Sequence, residues 1–197
     1  MENLISPEQK SKLIDKYRDI NVDWNDWSEW VIEQFKEDMA LIGIDVDRVY
    51  FSGFWSQGDG ACFEGSATFP KFMDNFKPDE FPIIRKLLGL NGYIYFGCKH
   101  RGHYYHSDSV AFNYEVESFD QLIDAPTEFQ SELIKVFQDQ LDLEIKQFEY
   151  YATELFTDKM MEVYLTLEKA YEYDTADEQV WETIVANELH LTSDIKE

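Results

Sequence analysis

The apolar positions of this chain change their period twice. At the N-terminus, Ser6-Pro7-Glu8-Gln9 places a capping Ser, a Pro at the first helical position and a Gln at the third, a helix-start signature, and Leu13, Ile14 and Tyr17 follow as one apolar stripe. A second start, Asp26-Trp27-Ser28-Glu29, opens a helix in which Trp27, Val31, Phe35, Met39 and Ile42 recur at helical spacing, and Gly43 is suited to close it in the left-handed conformation. Trp24, Trp27 and Trp30 are expected in the core. The period then shortens: Val49 to Gly65 and Tyr93 to His106 carry aromatic and β-branched flanks around Gly-rich centres, the pattern of hairpins. Between them, Pro70 to Pro82 reads as a connector into a short helix, Ile83 to Leu88, stopped by Gly89, and the second strand pair occupies Tyr93 to Val116.

Beyond Ala125-Pro126 the helical period returns, with Phe129, Leu133, Phe137, Leu141, Ile145, Phe148, Ala152, Leu155, Met160, Val163, Tyr164, Leu167 and Tyr171 near one stripe. Unbroken from Pro126 to Glu172, such a helix would be about 70 Å long. That exceeds a compact domain of this size, so a bend or break is expected near Thr153 to Asp158. Thr175-Ala176-Asp177-Glu178 reads as a capping box opening a terminal helix with Val180, Trp181, Ile184, Val185 and Leu189.

This order predicts an α+β fold, a small antiparallel sheet of two hairpins packed against several helices. The expected organisation is a single domain over 1–197, with N-terminal helices in 1–43, two hairpins and a short helix in 48–116, and acidic helices in 117–197. If Gly58-Asp59 is a two-residue turn, Trp55, Cys62 and Glu64 share one sheet face while Phe54, Ala61 and Phe63 share the other; a longer loop reverses the assignment. With Arg101-Gly102 as the second turn, Cys98 and His100 share a face with His103 and Tyr105, and His106 points away. Trp55, Glu64, His100, Arg101 and His103 are then expected together at the open face or the hairpin tips.

Composition supports one well-cored domain, since 44% of 197 residues are hydrophobic. No stretch of roughly 18 apolar residues appears, and Met1-Glu2-Asn3 lacks the basic and apolar regions of a secretory signal, so a soluble, cytoplasmic protein is expected. The net charge is −23, with 18 acids and 12 bases in residues 1–114 against 22 acids and 5 bases in residues 115–197. A surface of that sign disfavours direct contact with nucleic acid or anionic membrane and attracts a basic partner, although acidity also serves solubility alone.

The hairpins hold both cysteines and three of the four histidines. Their candidate ligand-binding residues are Trp55, Gln57, Asp59, Glu64, His100, Arg101, His103 and Tyr105. Gln57-Gly58-Asp59-Gly60 lacks the Lys-Ser/Thr of a phosphate loop and reads as a turn. Cys98, His100 and His103, joined by Cys62 or Glu64, have the donor chemistry of a tetrahedral zinc site, but not the spacing of the common zinc patterns, so neither metal nor cofactor is expected. Cys62 or Cys98 beside His100, His103 or His106 would make a nucleophile and base, and Glu64 with Asp108 a carboxylate pair, yet no activating context accompanies them. Two free thiols are expected rather than a disulfide.

The segments Ser52 to Gly65 (SGFWSQGDGACFEG) and Arg101 to His106 (RGHYYH) resemble the motif pair of an uncharacterised family of bacteriophage and mobile-element proteins. The resemblance implies a phage-type accessory protein in the cytoplasm of an infected bacterial host, and carries over no reaction and no catalytic residue. On this reading the protein acts by binding a basic host protein through Glu144, Glu154, Glu162 and Glu172, as an acidic inhibitor or nucleic-acid mimic directed at a host factor or defence system. Residues 126–172 carry 11 acids and 4 bases, too dilute for one helix to imitate duplex DNA, which presents one charge per roughly 1.7 Å. The alternative is a small-ligand-binding or metal-dependent hydrolytic enzyme built on the two hairpins.

Overall fold

Ser6 caps the first helix as its sequence requires: the Gln9 amide donates to Ser6 Oγ at 3.2 Å and the Ser6 amide donates to Gln9 Oε1 at 3.0 Å. The computed structural model describes residues 5–23, 27–116 and 128–191, with residues 128–133 and 191 described by backbone alone. Trp24, Asp26, Ala125 and Pro126, and the side chains of Phe129 and Leu133, lie outside the described residues.

The helices are α1 (Pro7–Lys16), the single turn α2 (Ile20–Asp23), α3 (Trp27–Leu41), α4 (Pro82–Gly89), α5 (Glu128–Asp174) and α6 (Asp177–Ala186). The strands β1 (Ile44–Ser52), β2 (Gly60–Ala67), β3 (Ile94–His100) and β4 (Val110–Val116) form one antiparallel sheet in the order β1-β2-β3-β4. The α+β class and the pairing of two hairpins in one sheet are as expected from the alternation of patterns. Contacts divide the chain into two compact units, one of residues 1–33 and 165–197 and one of residues 34–164.

The first unit packs Leu13 and Ile14 of α1 against Val180 and Ile184 of α6, with Tyr17, Ile20, Trp181 and Leu189 around them. Arg18 donates to the Thr175 carbonyl at 3.1 Å and pairs with Asp15 and Asp177, while Asn21 donates to the Asp174 carbonyl at 2.8 Å. Trp27 meets Tyr171 edge-on at 5.6 Å. Trp30, by contrast, is 61% exposed. Its assignment to the core is corrected: the buried line of α3 runs through Val31, Phe35 and Met39, and Trp30 stands about 100° round the helix from Val31. The Thr175 capping box is also not formed, because Ala176 occupies the N-cap of α6 and Thr175 Oγ1 donates back to the Tyr171 carbonyl at 2.8 Å.

The second unit is held by phenylalanines. Phe156 of α5 contacts Phe63, Phe72, Phe96 and Phe112, and Phe148, two turns earlier, contacts Phe69, Phe72, Phe76, Phe81 and Phe96. Burial of one such ring stabilises by roughly 2–3 kcal/mol relative to exposure. Gly43, at φ 75, ends the α3 segment as its sequence predicts; a Cβ there would lie 2.5 Å from the Phe72 amide nitrogen. The short helix α4 has no side-chain cap from its own N-cap residue. Glu144 of α5 supplies one instead, accepting from the amides of Ile83 at 2.9 Å and Ile84 at 3.0 Å.

The expected break in the long helix is absent. α5 runs 47 residues without interruption, and Ala152, Phe156 and Met160 are buried straight through the segment where a break was expected. A bend is required only of a helix confined to one compact body, whereas α5 contributes buried residues to each of two units, with Leu167 in the first.

Candidate functional site

Both hairpins close by longer loops than their Gly-rich centres suggest. Ser52 pairs with Gly60 and His100 with Val110, leaving residues 53–59 and 101–109 as loops, so the two-residue turns at Gly58-Asp59 and Arg101-Gly102 are corrected. The physical cause in the first loop is Asp59, whose Oδ2 accepts the amides of Trp55 at 2.9 Å and Ser56 at 2.6 Å. A side-chain acceptor thereby closes a wider turn than the backbone alone would. Asp59 is thus a loop organiser, Trp55 leaves the sheet face and is 70% exposed, and Gln57 is exposed at the turn.

The longer loop also changes who faces whom. Tyr50 stands opposite Cys62 and Arg48 opposite Glu64 in continuous register, the ladder shifting only between Val46 and Arg48. Tyr50 Oη donates to Glu64 Oε2 at 3.2 Å, and the His100 amide donates to Glu64 Oε1 at 3.2 Å. Tyr50 stacks on Tyr105 at 5.6 Å and packs on the His100 ring at 4.9 Å, while the Arg48 guanidinium lies over the Tyr50 ring at 5.3 Å. A side-chain hydrogen bond to the Tyr50 phenol is the first cause holding Arg48 above its ordinary pKa. The β2–β3 ladder is brief, pairing Gly65 with Cys98 and Ser66 with Gly97. Glu64 extends it, taking with its carboxylate the His100 amide beyond the last paired residues.

The hairpin tips meet beside this cluster. A Cβ on Gly58 would lie 2.9 Å from Tyr104 Cε1, and one on Gly60 would lie 2.8 Å from His106 Cβ, so glycine is needed where the second loop rests on the first. His100 Nε2 shares a hydrogen bond with the Tyr104 carbonyl at 3.0 Å, and the Arg101 amide donates to the Ser109 carbonyl at 2.7 Å. His106 stacks on Tyr104, and His103 packs edge-on to the same ring rather than beside His100 and Tyr105. Glu64, His100 and Tyr105 are therefore brought together; Trp55, Gln57 and Asp59 belong to the first loop, Arg101 and His103 to the second. Sequence reasoning missed Arg48 and Tyr50. The alternation of Val49, Tyr50 and Phe51 was the available signal, since Tyr50 is out of phase with its two apolar neighbours.

The two cysteines lie in the core. Cys62 and Cys98 are free, buried thiols, each pushed up to about 12 chiefly by burial, and Cys98 Sγ donates to the Phe63 carbonyl at 3.3 Å. Burial that disfavours the thiolate also disfavours nucleophilic attack. Among the described residues no group of three or more His, Cys, Asp or Glu side chains is placed to hold a metal ion. Asp108 lies exposed in the turn Ser107–Ser109, while Glu64 is engaged by Tyr50 and His100.

A family model described as Domain of unknown function (DUF8835) matches residues 27–177. The chain belongs to this family. The DUF8835 match takes in α3, the whole sheet, α4 and α5, and includes every residue of the Glu64 cluster. The comparisons with curated proteins and with solved structures return no match.

The acidic candidates separate by environment. Glu144 is the cap of α4, Glu154 accepts from Tyr150 Oη at 2.6 Å, Glu162 pairs with Lys159 at 2.7 Å, and Glu172 is exposed. A cavity of about 540 Å³ in the first unit is lined by Tyr17, Asp19, Ile20, Asn21 and Thr183 among others. Two of its polar walls bond one another, Thr183 donating to Asn21, and Asp19 accepts from Tyr171 outside the lining. No helix among the described residues is long and apolar enough to cross a membrane.

Proposed function

We propose that this protein acts by association rather than by turnover, its acidic helical surface engaging a basic host protein. The observation that carries this reading is the charge of α5, which bears 12 acids against 4 bases over Glu128–Asp174. At about 1.5 Å per residue that is a net of −8 along roughly 70 Å, where duplex DNA would present on the order of 40 charges. The partner is accordingly a basic protein surface attracted to an acidic helix, not an enzyme deceived by an imitation duplex. Inhibition of a host factor or defence enzyme inside a bacterial cell is the role that joins this chemistry to the phage-type motifs Ser52 to Gly65 and Arg101 to His106. The hairpin-based enzyme is the weaker reading, since its thiols are buried and Glu64 serves to join strands.

The test is charge reversal at Glu154, Glu162 and Glu172, with Glu144 left in place because it caps α4. Affinity capture from the host, followed across a salt series, should yield a basic protein that the wild type retains at low salt and releases as salt rises. The reversed variant should lose it, while His103→Ala should retain it. Loss in the histidine variant alone would move the active surface to the hairpins.

A further inference from the structure

We propose that the outward line of α5 in the second unit is a docking surface for a basic amphipathic helix of a partner protein, a refinement that rests on the association reading. An α-helix turns about 100° per residue, so buried Leu141, Phe148, Ala152 and Phe156 mark its inward side. Val136, Leu143 and Tyr150 follow one another at steps of seven, with Met161 eleven further on, and this spacing carries all four to the opposite side. They are 53%, 69%, 59% and 57% exposed. A helix whose inward face already fills a core has no folding reason to place a second apolar line in water. Aligned apolar anchors separated by whole turns are what a partner helix reads.

Charge selects the occupant. From Val136 to Met161 the helix carries six acids and two bases, and Asp139, Glu154 and Asp158 stand exposed near the apolar line. A second copy of this chain would bring another net −23 against the same face, and an anionic lipid surface would likewise be repelled. A helix with one apolar face and lysine or arginine at its margins satisfies both features, burying its apolar face on Leu143 and Tyr150 while its cations meet the flanking carboxylates.

The probe is a synthetic helix of leucine and lysine with leucines at helical spacing, set against a peptide of identical composition whose order destroys that spacing, both titrated by fluorescence anisotropy. The patterned peptide should bind the wild type about tenfold or more tightly than the scrambled one. Leu143→Ser with Tyr150→Ser should remove that preference with circular dichroism and thermal melting unchanged, and Leu143→Met should preserve it. Equal binding of the two peptides, or undiminished preference in the double variant, would overturn the apolar line while leaving acidic association standing. Binding of neither peptide would overturn both.

Discussion

Glu144 and Glu154 stand ten residues apart on the same helix and do opposite work. The first turns toward α4 and satisfies two backbone amides; the second is exposed and accepts the hydroxyl of Tyr150 a turn away. The hairpins and the outward side of α5 differ in the same way on a larger scale. The hairpins hold the residue types of catalysis, yet Glu64 bridges strands, Asp59 closes a loop and both cysteines are sealed in the core. The outward side of α5 holds plain glutamates and a few misplaced apolar residues, and these face water. What a side chain can do for a partner is set by what its neighbours have left free, not by its type.

Alkaline pH should produce the largest separation between the two regions. Both thiols are shifted from 9.0 to about 12 in the folded protein. Below pH 9.0 they are protonated in either state; above it the unfolded chain ionises first, so stability is lost as pH rises toward about 12. Urea unfolding at neutral pH and within that window should show a steep loss that Cys62→Ala with Cys98→Ala makes shallower. An unchanged slope would mean that the thiols are not sealed. Next in size, Glu144→Lys removes an acceptor for two amides and sets a cation at a helix N-terminus, for a loss of about 3 kcal/mol by denaturant titration. Glu64→Ala should cost about 2 kcal/mol and Glu64→Gln less, because the amide oxygen still accepts from the His100 amide.

Smallest of all, reversal of Glu154, Glu162 and Glu172 should change stability by less than about 1 kcal/mol, with its effect confined to association. A loss comparable with that of Glu144→Lys would erase the distinction between supporting and presented carboxylates.

Where a structural feature rests on residues within a few positions of each other, it was legible in the chain. Ser6 and Gln9 cap α1 because three residues separate them, Val31, Phe35 and Met39 line α3 by its period, and Gly43 closes the segment because a positive φ suits glycine. The alternation around Val49 to Phe63 and Tyr93 to Val116 likewise specified strands, and with them the α+β class. Not every local feature is legible: Asp59, three and four residues from the amides it takes, widens a turn whose glycines suggest a tight one. Distant groups hide more, since Glu144 caps a helix some sixty residues upstream, and the core stripe of α5 continues unbroken through a segment where one compact domain would have required a bend. Trp30 was assigned to the core by its hydrophobicity, whereas its angle on α3 exposes it. Local spacing determines periodic structure because backbone hydrogen bonds and side-chain faces repeat over a few residues. Which carboxylate supports the fold and which stays exposed was decided only by tertiary structure, because hydrogen-bond satisfaction depends on groups that folding, not sequence order, brings within 3 Å.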